Sequence, residues 1–426
     1  MVPVDKVKDI ITRHNALERE LSSGNIDSKL FAKKSKEYSS LGSIISVARQ
    51  YVNFENEKIL SLLYLFKLCF AWVNQNLKGV TLLEKVILPK KKNIKIKNNQ
   101  FKDLRSIEIL TNNKTIHFKE NHSSIGINMD TNLIYEILSK TFTNVKLTKI
   151  ENEFDLNKLV KRKPKLVFSG IKYFKFKNKK VWLNEILDFY DINYINSPKS
   201  SYENEHNKSF AKIIMQKNNI KTADFFTAIP REYLNISSLP IKFPLFIKPL
   251  TAGDSIGIDK NSIVNNFNDF KKKVLEIKLN QNSVSIVEAY LSGKEYSVGI
   301  LQDVINDNLI AMPIEIIVKK DLNGNSILDY DTKKNDLETV IAVSNQIIYK
   351  KISKLAKKAF KLLNGRLFGR IDIKMDSLGV PHFIEANLMP GLQKGYFYRS
   401  CSINLKMNYE QMITRISQNA LNYSNS

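Results

Sequence analysis

The feature that most constrains this chain is a pair of short segments near its C-terminus, Gly369-Arg370-Ile371-Asp372 and Phe383-Ile384-Glu385-Ala386-Asn387-Leu388-Met389-Pro390-Gly391. Ile371, Ile373 and Met375 alternate with polar residues, Ser377-Leu378-Gly379 supplies turn chemistry, and Phe383-Ile384 opens a return strand. A hairpin folded in this way sets Asp372 beside Glu385. Two carboxylates and the amide oxygen of Asn387 are hard oxygen donors that suit Mg²⁺ and leave coordination for water and phosphate. Arg370 adds a positive charge for a transferring phosphate or a developing oxyanion. A surface hairpin with a salt bridge has the same residues, so the remainder of the chain must decide between the two.

A chain of 426 residues, 43% hydrophobic and 10% aromatic, can bury two or three cores and is expected to be multidomain and globular. Its two cysteines, Cys69 and Cys401, are too few and too far apart for a disulfide framework or a zinc site, which fits a reducing cytoplasm. Asp5, Lys6, Lys8, Asp9 and Arg13 interrupt any apolar run in residues 1–15, so no secretory signal is expected. The longest apolar stretch, 59–73, contains Lys67 and falls short of the roughly 20 residues that cross a bilayer. It reads as a buried helix, and no membrane partner is expected. A net charge of +24 would suit nucleic acid, but the lysines are spread along the whole chain instead of forming a stripe. Such a surface equally suits anionic nucleotides, so neither nucleic acid nor the ribosome is expected as the main partner.

The first residues read as helical. Over 4–21, Val7, Ile10, Ile11, Leu17 and Leu21 fall near helical spacing, and Ser22-Ser23-Gly24 ends the run. A second helix would carry Leu30, Phe31, Tyr38, Leu41, Ile44, Ile45, Ala48 and Tyr51, giving an amphipathic antiparallel pair. About the first 57 residues, through the run 17–24 and Ser35-Lys36-Glu37-Tyr38-Ser39-Ser40-Leu41, resemble the N-terminal helical domain of bacterial class I peptide chain release factors. The Gly-Gly-Gln hydrolysis motif of that family is absent from the sequence, so peptide release is not expected. The resemblance implies at most a fragment of ribosome-contacting surface.

After Pro89-Lys90-Lys91-Lys92-Asn93, read as a linker or exposed edge, strands alternate with helices. Strands are expected at 106–110, 145–149 and 165–169 and helices at 131–139 and 183–190, the last leading to Tyr194-Ile195. That alternation predicts a small parallel α/β domain. Farther on, Leu355, Ala356, Ala359, Phe360, Leu362 and Leu363 form the core stripe of a helix.

Two further segments carry chemistry. In the first, running from Phe243 to Ile258, a strand delivers Lys248 and a loop with Gly253, Ser255 and Gly257 follows, so backbone N–H groups can approach phosphate oxygens. Neither a Gly-Lys-Ser/Thr ending nor a Gly-x-Gly-x-x-Gly pattern is present, which disfavours P-loop and dinucleotide folds. A plain glycine hairpin with an exposed lysine is the structural alternative. In the second, a strand ending at Glu288 passes through Ala289-Tyr290-Leu291, whose backbone can bond an adenine edge, and a glycine turn leads to Glu295, which can accept from ribose hydroxyls.

In order and spacing, the segments around Lys208, Lys248, 288–295, 329–333, 370–372 and 385–391 resemble the ATP-grasp superfamily, and within it the D-alanine D-alanine ligase family, over residues 105–404. The resemblance implies a mixed α/β (α+β) ATP-grasp fold preceded by a small parallel α/β domain and an N-terminal helical extension. The expected divisions are 1–100, a helical extension and basic linker; 101–197, the small domain; 198–292 and 293–404, the two ATP-grasp subdomains; and 405–426, a C-terminal helix or tail. ATP and Mg²⁺ are the implied cofactors. Lys208 and Lys248 match the lysines that hold ATP phosphates, Ser255 lies in the glycine loop, and Glu288, Ala289 and Leu291 match the adenine hinge. Glu295 matches the ribose ligand and Lys333 a mobile-loop lysine that closes over the γ-phosphate. Asp372, Glu385 and Asn387 match the metal ligands, and Arg370 with the backbone at Gly391 matches the groups that stabilise the tetrahedral intermediate.

The departures bear on substrate. The ligases place a serine where this chain has Asp254, a tyrosine where it has Lys334, and a serine after the proline-glycine where it has Gly395-Tyr396-Phe397-Tyr398-Arg399. Asp254 can receive an ammonium group and Arg399 can pair a carboxylate in bidentate fashion, whereas Lys334 reverses the sign of one pocket wall. The expectation is a cytoplasmic carboxylate–amine ligase working through an acyl phosphate on amino acids or peptides other than two D-alanines, with a homodimer compatible. The competing readings are an authentic D-alanine D-alanine ligase, and a ribosome- or RNA-associated protein with a regulatory ATP site. His206, beside Lys208 on an expected helix, and His382, before a core strand, read as structural or exposed.

Overall fold

A computed structural model of the chain describes residues 4–22, 34, 37, 38, 41, 103–111, 124–127, 129–176, 179–253, 255–320, 324 and 326–423. They fall in two compact units, 1–98 and 99–426. In the first unit the helix Val4–Ser22 forms where the spacing predicts, with Leu17 fully buried. Arg13 pairs with Glu37 at 2.8 Å, Lys34 with Glu20 at 2.7 Å, and His14 stacks on Tyr38. These contacts join the first helix to Lys34, Glu37 and Tyr38. The rest of the second helix, the apolar run 59–73 and the linker at 89–93 lie outside the described residues.

The second unit begins with four parallel strands in the order Phe142–Lys149, Asp103–Thr111, Leu166–Phe168 and Asn193–Tyr194. Ile107, Ile109, Leu166 and Phe168 have no exposure, as strands covered on both faces require. The covering helices start at polar caps: Asp130 accepts from the Leu133 N–H ahead of Thr131–Thr141, and Asn152 from the Asp155 N–H ahead of Glu153–Arg162. A small antiparallel sheet, Ser124–Gly126, Ile171–Phe176 and Lys179–Trp182, was not anticipated, although Lys172-Tyr173-Phe174-Lys175-Phe176 has a strand's alternation.

Two antiparallel sheets follow. One runs Ile263–Val264, Leu245–Pro249, Ser285–Ala289, Phe225–Ala228, and the helix Phe267–Gln281 buries Phe270, Val274 and Ile277 against Leu245, Ile247 and Val287. The other runs Thr339–Ala342, Asn308–Ile317, Glu295–Asp303, Phe368–Met375, Pro381–Asn387. The helix Gln346–Leu362 lays Ile352, Ala356, Ala359 and Phe360 on one face of that sheet, the stripe expected from the sequence. A Cβ at Gly369 would meet the Phe360 ring at 2.7 Å, so only glycine fits beside Arg370. Phe397 and Cys401 of the helix Tyr396–Leu405 and Met412, Ile413 and Ile416 of Tyr409–Asn422 share a core with Ile107, Ile134 and Phe368, which fixes the small domain to the five-stranded sheet. Among the described residues no helix is long and apolar enough to cross a membrane.

Candidate active site

The C-terminal hairpin forms with Asp372 opposite Glu385 and Arg370 opposite Asn387. Ile371 and Ile373 are fully buried, so the strand's alternation sends Arg370, Asp372 and Lys374 to the other face. The neighbouring strand adds Ser297 opposite Asp372 and Glu295 opposite Lys374. The Ser297 hydroxyl donates to Asp372 at 2.7 Å, and the Lys374 ammonium donates to Glu295 at 2.8 Å. Arg370 grips Asp372 through two bonds, 3.0 and 2.8 Å long. The Asn387 side-chain oxygen accepts from the Met389 N–H at 3.2 Å.

Buried lysines meet this face. Lys208 opens the helix Lys208–Lys217, whose first amides are capped by Asn207. Its ammonium donates to the Ala252 carbonyl and lies 3.7 Å from Glu385. Lys248, in the strand Leu245–Pro249, lies 3.3 Å from Glu288, and Lys212 lies 3.1 Å from the same carboxylate oxygen while donating to Thr222 at 2.6 Å. Sequence reading missed Lys212. Its signal was the four-residue spacing from Lys208, which puts both lysines on one helix face. Burial pushes Lys208 and Lys212 down despite their acidic neighbours, whereas at Lys248 burial is outweighed by Glu288 and Glu385 and the pKa rises. Burial alone would push Glu288 and Glu385 up, yet Lys212 and Lys248 hold Glu288 down, and Lys208, Lys248, Lys333 and Arg370 hold Glu385 at about 2. Lys208, Lys212 and Lys248 set three buried cations against the two carboxylates Glu288 and Glu385, a surplus that favours an anionic ligand.

Two connected cavities open on this cluster. The narrower brings together Lys248, Ser255, Glu288, Ala289, Leu291, Glu295, Lys333, Asp372 and Glu385. Ser255 holds a left-handed backbone, φ 58°, and donates to the Leu328 carbonyl at 3.1 Å, tying the glycine loop to the segment before Lys333. Gly257 has φ 77°, and a Cβ there would meet the Pro249 ring at 2.6 Å. The amides of Ala289 and Tyr290 are taken by the carbonyls of Asp224 and Pro244. Glu288 points its carboxylate into the lysine pair. The wider cavity, about 440 Å³, holds Lys208, Arg370, Asn387 and Gly391, shares Lys333 and Glu385, and adds Lys172, Glu205 and His206. His206 ends the helix Lys199–His206 and is exposed, as read, but on the cavity wall.

Lys334, Tyr396 and Arg399 line neither cavity. Lys334 is exposed, 5.7 Å from the Tyr330 ring. Arg399 is bound to Asp336 and lies 3.4 Å from Glu338, so its guanidinium is committed to the loop after Lys333. Tyr396 packs between Arg370 and Arg399, with its hydroxyl pKa raised by burial and by the nearby Glu338 charge. Asp254 lies outside the described residues.

Oxygen donors at Asp372, Glu385 and Asn387 could hold Mg²⁺: the two carboxylates lie opposite each other, and Glu385 is kept ionised. The fold is that of ATP-grasp ligases, and the site is suited to a nucleotide phosphate with a hard divalent cation. Residues 214–418 match the family model described as D-ala D-ala ligase C-terminus. It is 26% identical over 239 residues to D-alanine--D-alanine ligase B of Clostridium perfringens, covering 55% of this chain and 74% of that protein. It is 27% identical over 234 residues to the D-alanine--D-alanine ligase of Aquifex aeolicus, 54% of this chain and 75% of that one. The solved Bacillus anthracis D-alanine--D-alanine ligase complexed with ATP shares the fold with a TM-score of 0.56 at 18% identity, covering 75% of this chain and 97% of that one. Separately, the N-terminal 58 residues are 53% identical to peptide chain release factor 1 of Pelagibacter ubique, a match covering 14% of this chain and 16% of that protein.

Proposed function

We propose that the chain is an ATP-dependent carboxylate–amine ligase that activates a carboxylate as its acyl phosphate and joins it to an amine, with a substrate pair other than two D-alanines. The facing register of Arg370 with Asn387 and of Asp372 with Glu385 carries the reading, because it gathers metal ligands and an oxyanion donor on one sheet face. A carboxylate resists amines because oxide is a poor leaving group. Phosphorylation cures that: a carboxylate oxygen attacks the γ-phosphorus, ADP leaves, and phosphate then departs when the amine attacks the acyl carbon. Asp372, Glu385 and Asn387 would hold Mg²⁺, which would supply positive charge to the triphosphate. Lys208, Lys248 and Lys333 hold and neutralise the triphosphate, Glu295 receives the ribose, and the 289–291 backbone receives adenine. In the second step Arg370 and a backbone N–H near Gly391 stabilise the oxyanion.

The altered substrate is supported by the wide cavity, where Lys172, Glu205 and His206 contribute polar side chains from outside the matched segment 214–418. A coupled ADP-release screen over D- and L-amino acids and short peptides tests it. A product containing a residue other than D-alanine is expected; D-alanine as the best substrate would return the chain to authentic D-alanine D-alanine ligases.

The release-factor match favours a second reading, a ribosome- or RNA-associated protein with a regulatory ATP site. Salt-sensitive ribosome pelleting that survives deletion of residues 58–426 would support it. Loss of pelleting would leave the ligase, a cytoplasmic enzyme of small-molecule substrates.

A further inference from the structure

The strand that supplies Glu385 and Asn387 ends at residue 387, and the backbone beyond it is held from one side by a single short segment. The Ser197 hydroxyl donates to the Leu388 carbonyl at 3.1 Å, Glu205 accepts from the Leu388 N–H at 2.5 Å, and the Tyr202 hydroxyl donates to the Met389 sulfur at 3.3 Å. Leu388 and Met389 are fully buried. The other oxygen of Glu205 accepts from Lys172 at 2.7 Å, and the Glu205 side chain is only 8% exposed. Lys172 belongs to the strand Ile171–Phe176 and stands 4.6 Å from the Tyr202 ring. Lys172, Ser197, Tyr202 and Glu205 all precede the segment that matches the ligase family.

We propose that Glu205 is a positioning residue that clamps the Leu388 amide, and so fixes the orientation of Asn387 and of the 389–391 backbone toward the reacting phosphate. This rests on the ligase reading. A carboxylate that accepts a backbone N–H makes a charge-assisted bond, and Lys172 balances its charge, so the grip is satisfied on both oxygens. Groups that orient metal ligands from behind change metal affinity or activity by about 10- to 100-fold when removed. Lys172 also walls the wide cavity, which connects the clamp to the substrate side.

Two variants of the full chain test the clamp. Glu205→Ala removes both bonds, whereas Glu205→Gln keeps an oxygen that can accept the Leu388 N–H. Three readouts apply: hydrogen exchange at the Leu388 amide without ligand, Mn²⁺ affinity in the presence of ATP by electron paramagnetic resonance, and kcat and KM for ADP release. Glu205→Ala is expected to speed Leu388 exchange at least about tenfold and to weaken Mn²⁺ about 10- to 100-fold, while its Tm stays near that of the wild type. Glu205→Gln is expected to recover most of both. Wild-type exchange and Mn²⁺ affinity in Glu205→Ala would overturn the proposal, as would equal losses in the two variants that track a fall in Tm. Failure of the wild type to bind Mn²⁺ with ATP would instead sink the ligase reading, and Leu388 exchange would still decide whether Glu205 grips the strand end.

Discussion

The narrow cleft and the wide cavity share Lys333 and Glu385 but are built from different stretches of chain. Every wall of the cleft comes from residues 246–385, on two antiparallel sheets and the segments that join them within the family-matched stretch. The wide cavity adds Gly126, Lys172, Glu205 and His206 from the small domain and the helix that follows it. The difference is chemical. A nucleotide triphosphate with a metal dictates lysines, a ribose acceptor and paired acids whatever the other substrate is, whereas nothing dictates the residues that meet the amine. Recognition of the class therefore comes from the cleft, and the question of substrate belongs to the cavity.

The comparison breaks most sharply at Arg370, which lines the wide cavity only. Arg370→Ala is expected to lower kcat by about 10²- to 10³-fold, the usual cost of one oxyanion donor, while calorimetry finds ATP affinity nearly unchanged. An equal loss in ATP binding would place Arg370 in the nucleotide half. A smaller, opposite effect is expected at Lys212. Lys212→Met leaves Glu288 with Lys248 as its sole ammonium partner, competing with phosphate, so the Kd for ATP should rise about tenfold, or 1.4 kcal/mol. An unaltered Kd would show that Lys212 only supports packing.

Glu385 belongs to both halves, and its depressed pKa gives a test in the folded protein. The stability it contributes is present above its unfolded pKa of about 4.5 and is lost as pH falls through about 2. Acid unfolding of Glu385→Gln, followed by circular dichroism, should therefore be shallower between those values. Identical acid limbs would mean that the lysines around Glu385 do not hold it ionised. The smallest effect is expected at Lys334, exposed and outside both cavities. Lys334→Ala should leave every kinetic constant of the ADP-release assay within about twofold, as surface substitutions usually do.

What the sequence revealed follows from the range of the interactions. The hairpin from Phe368 to Asn387 was legible because period-two alternation and a turn lie in one short window, and the same holds for the strand that presents Lys248. Of the parallel sheet, the strands at 106–110 and 165–169 were legible as apolar runs. Long-range pairings left no such trace. Glu205 meets Leu388 across 183 positions, and Arg399 meets Asp336 across 63, so a guanidinium read as a carboxylate receptor turns out to be bound to the Lys333 loop. Lys212 meets Glu288 and Thr222 only through the fold. The ordering of segments carried the class, while partner choice within the cavity depended on contacts that no local pattern encodes.

Transfer of oxygen tests the central claim most directly. With amino acids labelled by ¹⁸O in their carboxylates, ATP and Mg²⁺, the account predicts one ¹⁸O in each phosphate released, in step with ADP and with a new amide seen by mass spectrometry. ADP released with unlabelled phosphate, or with no amide formed, would contradict it.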